Sequence, residues 1–172
     1  MKKLLIVVDM QNDFITGALG TPEARAIVED VAEYIKTFDG DIFFTRDTHY
    51  DNYLDTQEGK RLPVPHCIFN TDGWEFVPSI RNAVNNNTLV YSFGKNTFGS
   101  TLLGKTIYDQ DYNEVTLIGV CTDICVVSNA LLIKAFNPEI TINVIERLCA
   151  GTTPEAHNAA IATMKSCQIN II

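Results

Sequence analysis

Runs of Val, Ile, Leu and Phe recur along this chain, separated by segments of helical period, and no other feature narrows the possible folds as far. The runs cover residues 3–9, 41–46, 88–92, 114–120, 139–145 and 168–172. Short, almost continuously apolar and rich in β-branched residues, they read as strands buried on both faces of a sheet. Thr21-Pro22-Glu23 then offers a capping side chain and a proline at the first helical position. Ala24, Ile27, Val28, Val31, Ala32 and Ile35 follow at helical spacing, so residues 22–37 are predicted to be a helix. Thr153-Pro154-Glu155 repeats the start signal for a helix over 154–166. A third long helix is expected over 122–136, with shorter ones over 75–84 and 100–108. Strands alternating with helices in this way form repeated βαβ units, an α/β fold around a mostly parallel sheet. Residues 47–74 show no sustained period and contain Gly59, Pro63, Pro65 and Gly73. So long an irregular stretch in a compact domain is usually functional.

The 172 residues suit one domain over residues 1–172, and 46% hydrophobic content is enough for a substantial core. A formal net charge of −8 argues against a nucleic-acid or anionic-membrane partner, which would require clustered Lys and Arg, and favours a small neutral or cationic ligand. The apolar run after Met1-Lys2-Lys3 is far too short for a signal segment or a membrane span, so a cytoplasmic protein is expected. Five cysteines, an odd number without framework spacing, fit free thiols in a reducing compartment.

In an open α/β sheet, ligands bind beyond the carboxyl ends of the strands. Polar chemistry collects there in this sequence: Asp9 after the first run, Asp47-Thr48-His49 after the second, Lys95 after the third, and Thr122, Asp123 and Cys125 after the fourth. Any one of these would be an ordinary turn residue; their convergence from four strands on one rim is the signal. Cys125 stands where a strand turns into a helix, and a helix N-terminus favours thiolate and can hold a developing oxyanion. Cys125 is therefore the candidate nucleophile. Cys121 and Cys149 read as packing residues, and Cys67 and Cys167 have no acid or base near them in sequence. Asp47 and His49, one residue apart in extended backbone, share a face and suit two ligands of one divalent metal. His157, within the last predicted helix, reads as a surface or capping residue.

Four segments together, in this order, resemble the isochorismatase-like cysteine hydrolases, of which nicotinamidases are the best-known members. They are Ile6-Val7-Val8-Asp9-Met10-Gln11-Asn12-Asp13-Phe14, Phe44-Thr45-Arg46-Asp47-Thr48-His49, Lys95-Asn96-Thr97-Phe98-Gly99-Ser100 and Gly119-Val120-Cys121-Thr122-Asp123-Ile124-Cys125-Val126. The resemblance spans nearly the whole chain. It implies a doubly wound, Rossmann-like sheet of six mostly parallel strands with helices on both faces, and a cis peptide just before Cys121, uncommon where the residue is not proline. It also implies a catalytic triad of Asp9, Lys95 and Cys125, with backbone N–H groups of Cys121 and Cys125 as the oxyanion hole.

The implied activity is hydrolysis of a small amide through a thioester, with nicotinamide giving nicotinate and ammonia as the leading expectation. An N-carbamoyl compound or another small amide is the alternative; isochorismate, a dianion, suits this acidic chain less well, and a non-catalytic binding domain is the remaining reading. The implied metal set is Asp47, His49 and His66 with Glu58 as fourth ligand and Asp55 as its rival. Mixed imidazole and carboxylate ligands suit zinc, with iron or manganese as alternatives. In the ring-binding pocket Phe14 fits a family position, whereas Pro63 and Leu102 stand where aromatics are usual. Stacking is then expected from Trp74, Phe98 or a neighbouring subunit. Relatives are commonly dimers or tetramers, so a homo-oligomer is expected.

Overall fold

The computed structural model describes residues 2–84 and 90–172. Its strands are β1 (Lys3–Val8), β2 (Asp41–Asp47), β3 (Val90–Lys95), β4 (Glu114–Val120), β5 (Thr141–Ala150) and β6 (Asn170–Ile171). They form one sheet in the order β3-β2-β1-β4-β5-β6, and every pairing is parallel. The helices are α1 (Asn12–Ile15), α2 (Pro22–Ala26), α3 (Val28–Thr37), α4 (Gln57–Arg61), α5 (Pro78–Ala83), α6 (Thr101–Asp109), α7 (Val127–Phe136) and α8 (Pro154–Ser166).

Alternation along β1 shows how the sheet is covered. Leu5 and Val7 pack into one apolar cluster with residues of α2, α3 and α5, while Leu4, Ile6 and Val8 pack into a second with residues of α6, α7 and α8. Side chains of period two on a central strand thus bury both faces, and helices lie on each. All five are fully enclosed, each contributing about 1.5–3 kcal/mol of burial.

Several boundaries differ from the sequence reading. The helix expected over residues 22–37 is broken at Ile27, which ends α2 and opens α3. Its apolar stripe continues through the break, with Ala24, Ile27 and Val28 all buried, so periodicity carries no trace of it. The helix expected from residue 122 opens instead as a π-helical turn, Thr122–Val126, before α7. Strand β5 runs past residue 145 to Ala150: Glu146 and Arg147 interrupt its apolar run, but pairing with β4 resumes after a register shift at Gly119 and Cys149. Strand β3 continues through Lys95, beyond the expected run, whose residues 88 and 89 lie outside the described residues. The irregular stretch after β2 holds α4 and two one-turn 3-10 helices, Tyr53–Asp55 and Asp72–Trp74. No helix among the described residues is long and apolar enough to cross a membrane.

The order of strands reverses direction at β1 and β4, so a crevice opens at their carboxyl ends. Gly119 stands there with φ of 115°, and a Cβ on it would strike the Val8 backbone. Only glycine lets the two central strands approach this closely at the rim.

Candidate active site

At the end of β1 the chain turns through Asp9, whose φ is 49° and whose N–H donates to Thr45 O at 3.2 Å. Both carboxylate oxygens are engaged: Thr45 Oγ1 donates to Oδ1 at 2.6 Å, and Lys95 Nζ lies 2.7 Å from Oδ2. The same ammonium is 3.4 Å from Cys125 Sγ and 3.6 Å from Asp47 Oδ1. Lys95 reaches them because it closes β3 in register with Asp47 at the end of β2. Asp9 is 0% exposed, Lys95 and Cys125 5% each. An acid, an ammonium and a thiol from three distant parts of the chain thus meet at one point.

Burial and charge set the resting proton positions. Burial would lower the Lys95 pKa, but the charges of Asp9, Cys125 and Asp47 raise it, so the ammonium persists. Asp9 is raised by burial against the pull of Lys95. Burial, then the Asp9 charge, pushes the Cys125 thiol well above its ordinary value although Lys95 opposes them. The sequence reading, in which the helix terminus favours thiolate, omits this desolvation. The structure holds a thiol beside a carboxylate that can accept its proton.

Beyond Lys95 lies a second cluster. Asp47, His49 and His66 each offer a donor atom within 4.8 Å of the others. Asp47 Oδ2 is 3.0 Å from His49 Nε2 and 3.4 Å from His66 Nε2. Glu58 Oε1, on α4, lies 3.7 Å and 3.6 Å from the same two nitrogens, whereas Asp55 is exposed on the 3-10 turn before it. Of the two rival fourth ligands, Glu58 is the one brought to the imidazoles. His66 Nδ1 is paired with Val64 O at 2.8 Å, which turns Nε2 toward the carboxylates. Burial would raise Asp47, but hydrogen bonds from His49 and His66 and the charge of Lys95 hold it well below the ordinary carboxylate range. Burial would lower His66, yet Asp47, the Val64 carbonyl and Glu58 raise it. Two carboxylates and two imidazoles converging on one point fit a divalent cation.

A cleft of about 780 Å³ runs over both clusters and is lined by Cys121 and Cys125, the four metal-set residues, Phe14 and Phe98. Phe14 meets the His66 ring edge-on at 5.6 Å. Trp74, expected to stack on the ring, is not among the residues lining this cleft. Its indole N–H donates to Thr48 Oγ1 at 2.9 Å, and its ring is covered by the Arg46 guanidinium at 3.9 Å and packs edge-on against Phe69. Two aromatics that the sequence reading did not select, Tyr50 and Tyr53, do line the cleft, and Tyr53 packs 4.7 Å from His49 and 5.1 Å from His66.

Other residues missed from sequence hold the site in place. Gln11, fully buried, donates to Asp47 O at 2.8 Å and Trp74 O at 2.9 Å and accepts from Asp47 N–H at 2.7 Å. In the sequence it stands only within the Ile6–Phe14 segment, and its spacing from Asp9 gives no hint of partners on β2. Asn129 accepts from Ser100 N–H and donates to Cys125 O and Phe98 O. His157, expected at the surface or as a cap, has its Nδ1 2.8 Å from Thr122 Oγ1. A cis peptide joins Val120 to Cys121.

Similarity to known proteins agrees with this architecture. The family model of the isochorismatase domain matches residues 3–172. The nicotinamidase/pyrazinamidase of Mycobacterium tuberculosis is 28% identical over 187 residues, covering 99% of this chain and 98% of that protein. The solved pyrazinamidase/nicotinamidase of Streptococcus mutans superposes with a TM-score of 0.84 at 29% identity, covering 99% of this chain and 100% of the other. For the pyrazinamidase of Pyrococcus horikoshii, solved in complex with zinc, the TM-score is 0.79 at 30% identity, covering 100% and 99%. The chain belongs to the isochorismatase-like hydrolase family, on its nicotinamidase-like branch.

Proposed function

We propose that this protein hydrolyses nicotinamide, or a closely similar small amide, to the acid and ammonia through a thioester on Cys125. The observation that carries the reading is the position of Lys95 Nζ, 2.7 Å from Asp9 and 3.4 Å from the Cys125 sulfur, beneath the cleft. Asp9 takes the thiol proton as the sulfur attacks the amide carbonyl carbon. The carbonyl oxygen gains the negative charge and is received by backbone N–H groups of Cys121 and Cys125, each worth about 3 kcal/mol of barrier. Collapse breaks the C–N bond, and the proton held on Asp9 leaves with the nitrogen as ammonia. Asp9, again a carboxylate, then takes a proton from water as its oxygen attacks the thioester, and returns that proton to the departing sulfur. Lys95 keeps its charge throughout and stabilises whichever of Asp9 and Cys125 is anionic.

Asp47, His49, His66 and Glu58 would hold a divalent cation, zinc by their donor chemistry with iron or manganese as alternatives, and the cation would supply Lewis acidity to water or a substrate ring nitrogen. Phe14 and Phe98 would receive the ring. A second reading, an N-carbamoyl or other polar amide, is favoured by one feature: Asn52, Gln57, Arg61, Asn96 and Thr97 also line the cleft. Ammonia release from nicotinamide, measured beside an N-carbamoyl amino acid and an aliphatic amide, decides between them. Turnover of nicotinamide at least tenfold above the others is expected, and absence of turnover on all three overturns the enzyme reading.

A further inference from the structure

Thr122 follows Cys121 directly, is 0% exposed, and has its hydroxyl 2.8 Å from His157 Nδ1. His157 lies near the start of α8, where its own N–H is bonded to Thr153 O, so the helix fixes the backbone from which the imidazole reaches. Its Nε2 faces Glu146 Oε1 at 3.9 Å. The same corner grips the next residue of the turn: Asp123 accepts from Thr152 N–H at 2.8 Å and from Thr152 Oγ1 at 2.6 Å. Gly151 completes the fit, since a Cβ there would lie 2.8 Å from Asp123 Oδ1 and 2.9 Å from His157 N. The junction between β5 and α8, remote from the triad in sequence, therefore grips two of the three residues that link Cys121 to Cys125, Thr122 and Asp123.

We propose that His157 is a positioning residue for the reaction at Cys125. By holding the Thr122 hydroxyl it orients the turn whose N–H groups receive the oxyanion, and it does not touch the substrate. The hydroxyl can donate to or accept from the imidazole, so the contact survives either protonation state of the ring. Misplacing a reacting group by about 1 Å costs about 100-fold in rate, and losing one oxyanion donor costs about 100- to 1,000-fold. A partial displacement of the turn should therefore slow the chemical step by about 10- to 100-fold.

This inference rests on the thioester reading above, and its test separates the two. Four single variants, His157→Ala, His157→Asn, Thr122→Val and Thr122→Ser, are compared with the double variant His157→Ala/Thr122→Val. Four quantities are measured: kcat and KM for the amide; affinity for the corresponding aldehyde, whose adduct with Cys125 places an oxygen where the oxyanion sits; and the rate of Cys125 alkylation by iodoacetamide, which needs the sulfur but not the oxyanion donors. His157→Ala should lower kcat and aldehyde affinity by about 10- to 100-fold, leaving KM and alkylation within about twofold. His157→Asn and Thr122→Ser, which keep a polar partner in place, should recover most of the loss. The double variant should be no slower than the slower single, because both remove one interaction. Equal falls in kcat and alkylation, no recovery by asparagine, or losses that multiply in the double variant would each overturn the assignment. Wild-type protein without turnover or aldehyde binding would overturn the amidase reading itself; active wild type with unchanged His157→Ala overturns only the role of His157.

Discussion

Lys95 can be removed without changing the volume it fills. In Lys95→Met the chain length and apolar stem are kept while the charge disappears from beside Asp9 and Cys125. With an effective dielectric of about 20, Coulomb attraction at the observed 2.7 Å is about 6 kcal/mol toward Asp9, and at 3.4 Å about 5 kcal/mol toward a Cys125 thiolate. Burial already raises Asp9, so without the ammonium its carboxyl takes up a proton, which returns part of the loss at the thiolate by removing a neighbouring anion. The net expectation is a fall of about 100-fold in thiolate fraction near neutral pH and a fall of about 1,000-fold or more in turnover, because a protonated Asp9 accepts no proton.

Stability follows with a definite sign. The folded pKa of Asp9 in the variant lies above its unfolded value, so the stability contributed by the neutral acid is complete below about pH 4 and is lost as pH rises through the folded value. The deficit relative to wild type should grow over that range to about 3–5 kcal/mol at neutral pH, the usual consequence of stripping one partner from a buried ion pair. Site-resolved mass spectrometry of iodoacetamide labelling at Cys125, with urea unfolding at several pH values, measures both quantities. Labelling within threefold of wild type, or a stability deficit independent of pH, would refute the coupling described here.

Cys125→Ala should abolish ammonia release with the fold intact by circular dichroism, whereas Cys149→Ala should retain substantial rate, since Lys95 lies beside Cys125 and Cys149 is not among the residues lining the cleft. The opposite result reassigns the nucleophile. Glu58→Gln should weaken zinc binding by about tenfold or more in competition titrations, while Asp55→Asn leaves it unchanged; the converse would exchange the two ligands. Gln11→Leu strands the buried Asp47 N–H and carbonyl and the half-buried Trp74 carbonyl, so urea unfolding of the chelated protein should show a loss of about 2–4 kcal/mol. A loss under about 1 kcal/mol would mean that water or neighbouring groups replace those bonds.

What the sequence reveals and what it hides follow from the range of the forces involved. Strand cores and the α3 stripe are written in local hydrophobic order, and the placement of Asp9, Lys95 and Cys125 at one rim follows from the rule that parallel strands all end on one side. Thr45 and Gln11 were invisible because each bonds to a residue 36 positions away, and nothing local marks a polar side chain with a distant partner. Thr45 even sits inside the apolar run that marks β2. Trp74 is expected in the pocket on its ring alone, and nothing local shows that Arg46 covers that ring and Phe69 packs edge-on against it. Tyr50 and Tyr53 lie in a segment without period, where Tyr53 is oriented by the 3-10 turn and the two imidazoles and Tyr50 packs against Phe69. The break at Ile27 leaves burial unchanged and so leaves no pattern to read.

Asp9 and the Cys121 turn leave neighbouring strands, β1 and β4, whose approach at Gly119 admits no side chain. The gap between base and sulfur is consequently inherited from the hydrogen-bonded spacing of a sheet, the stiffest ruler the fold possesses. Most of the cleft's outer wall comes instead from the segment that carries α4 and the 3-10 turns. Residues there that hold no cation, such as Asn52, Gln57 and Arg61, can change without disturbing that spacing, because the distance between base and sulfur is measured elsewhere.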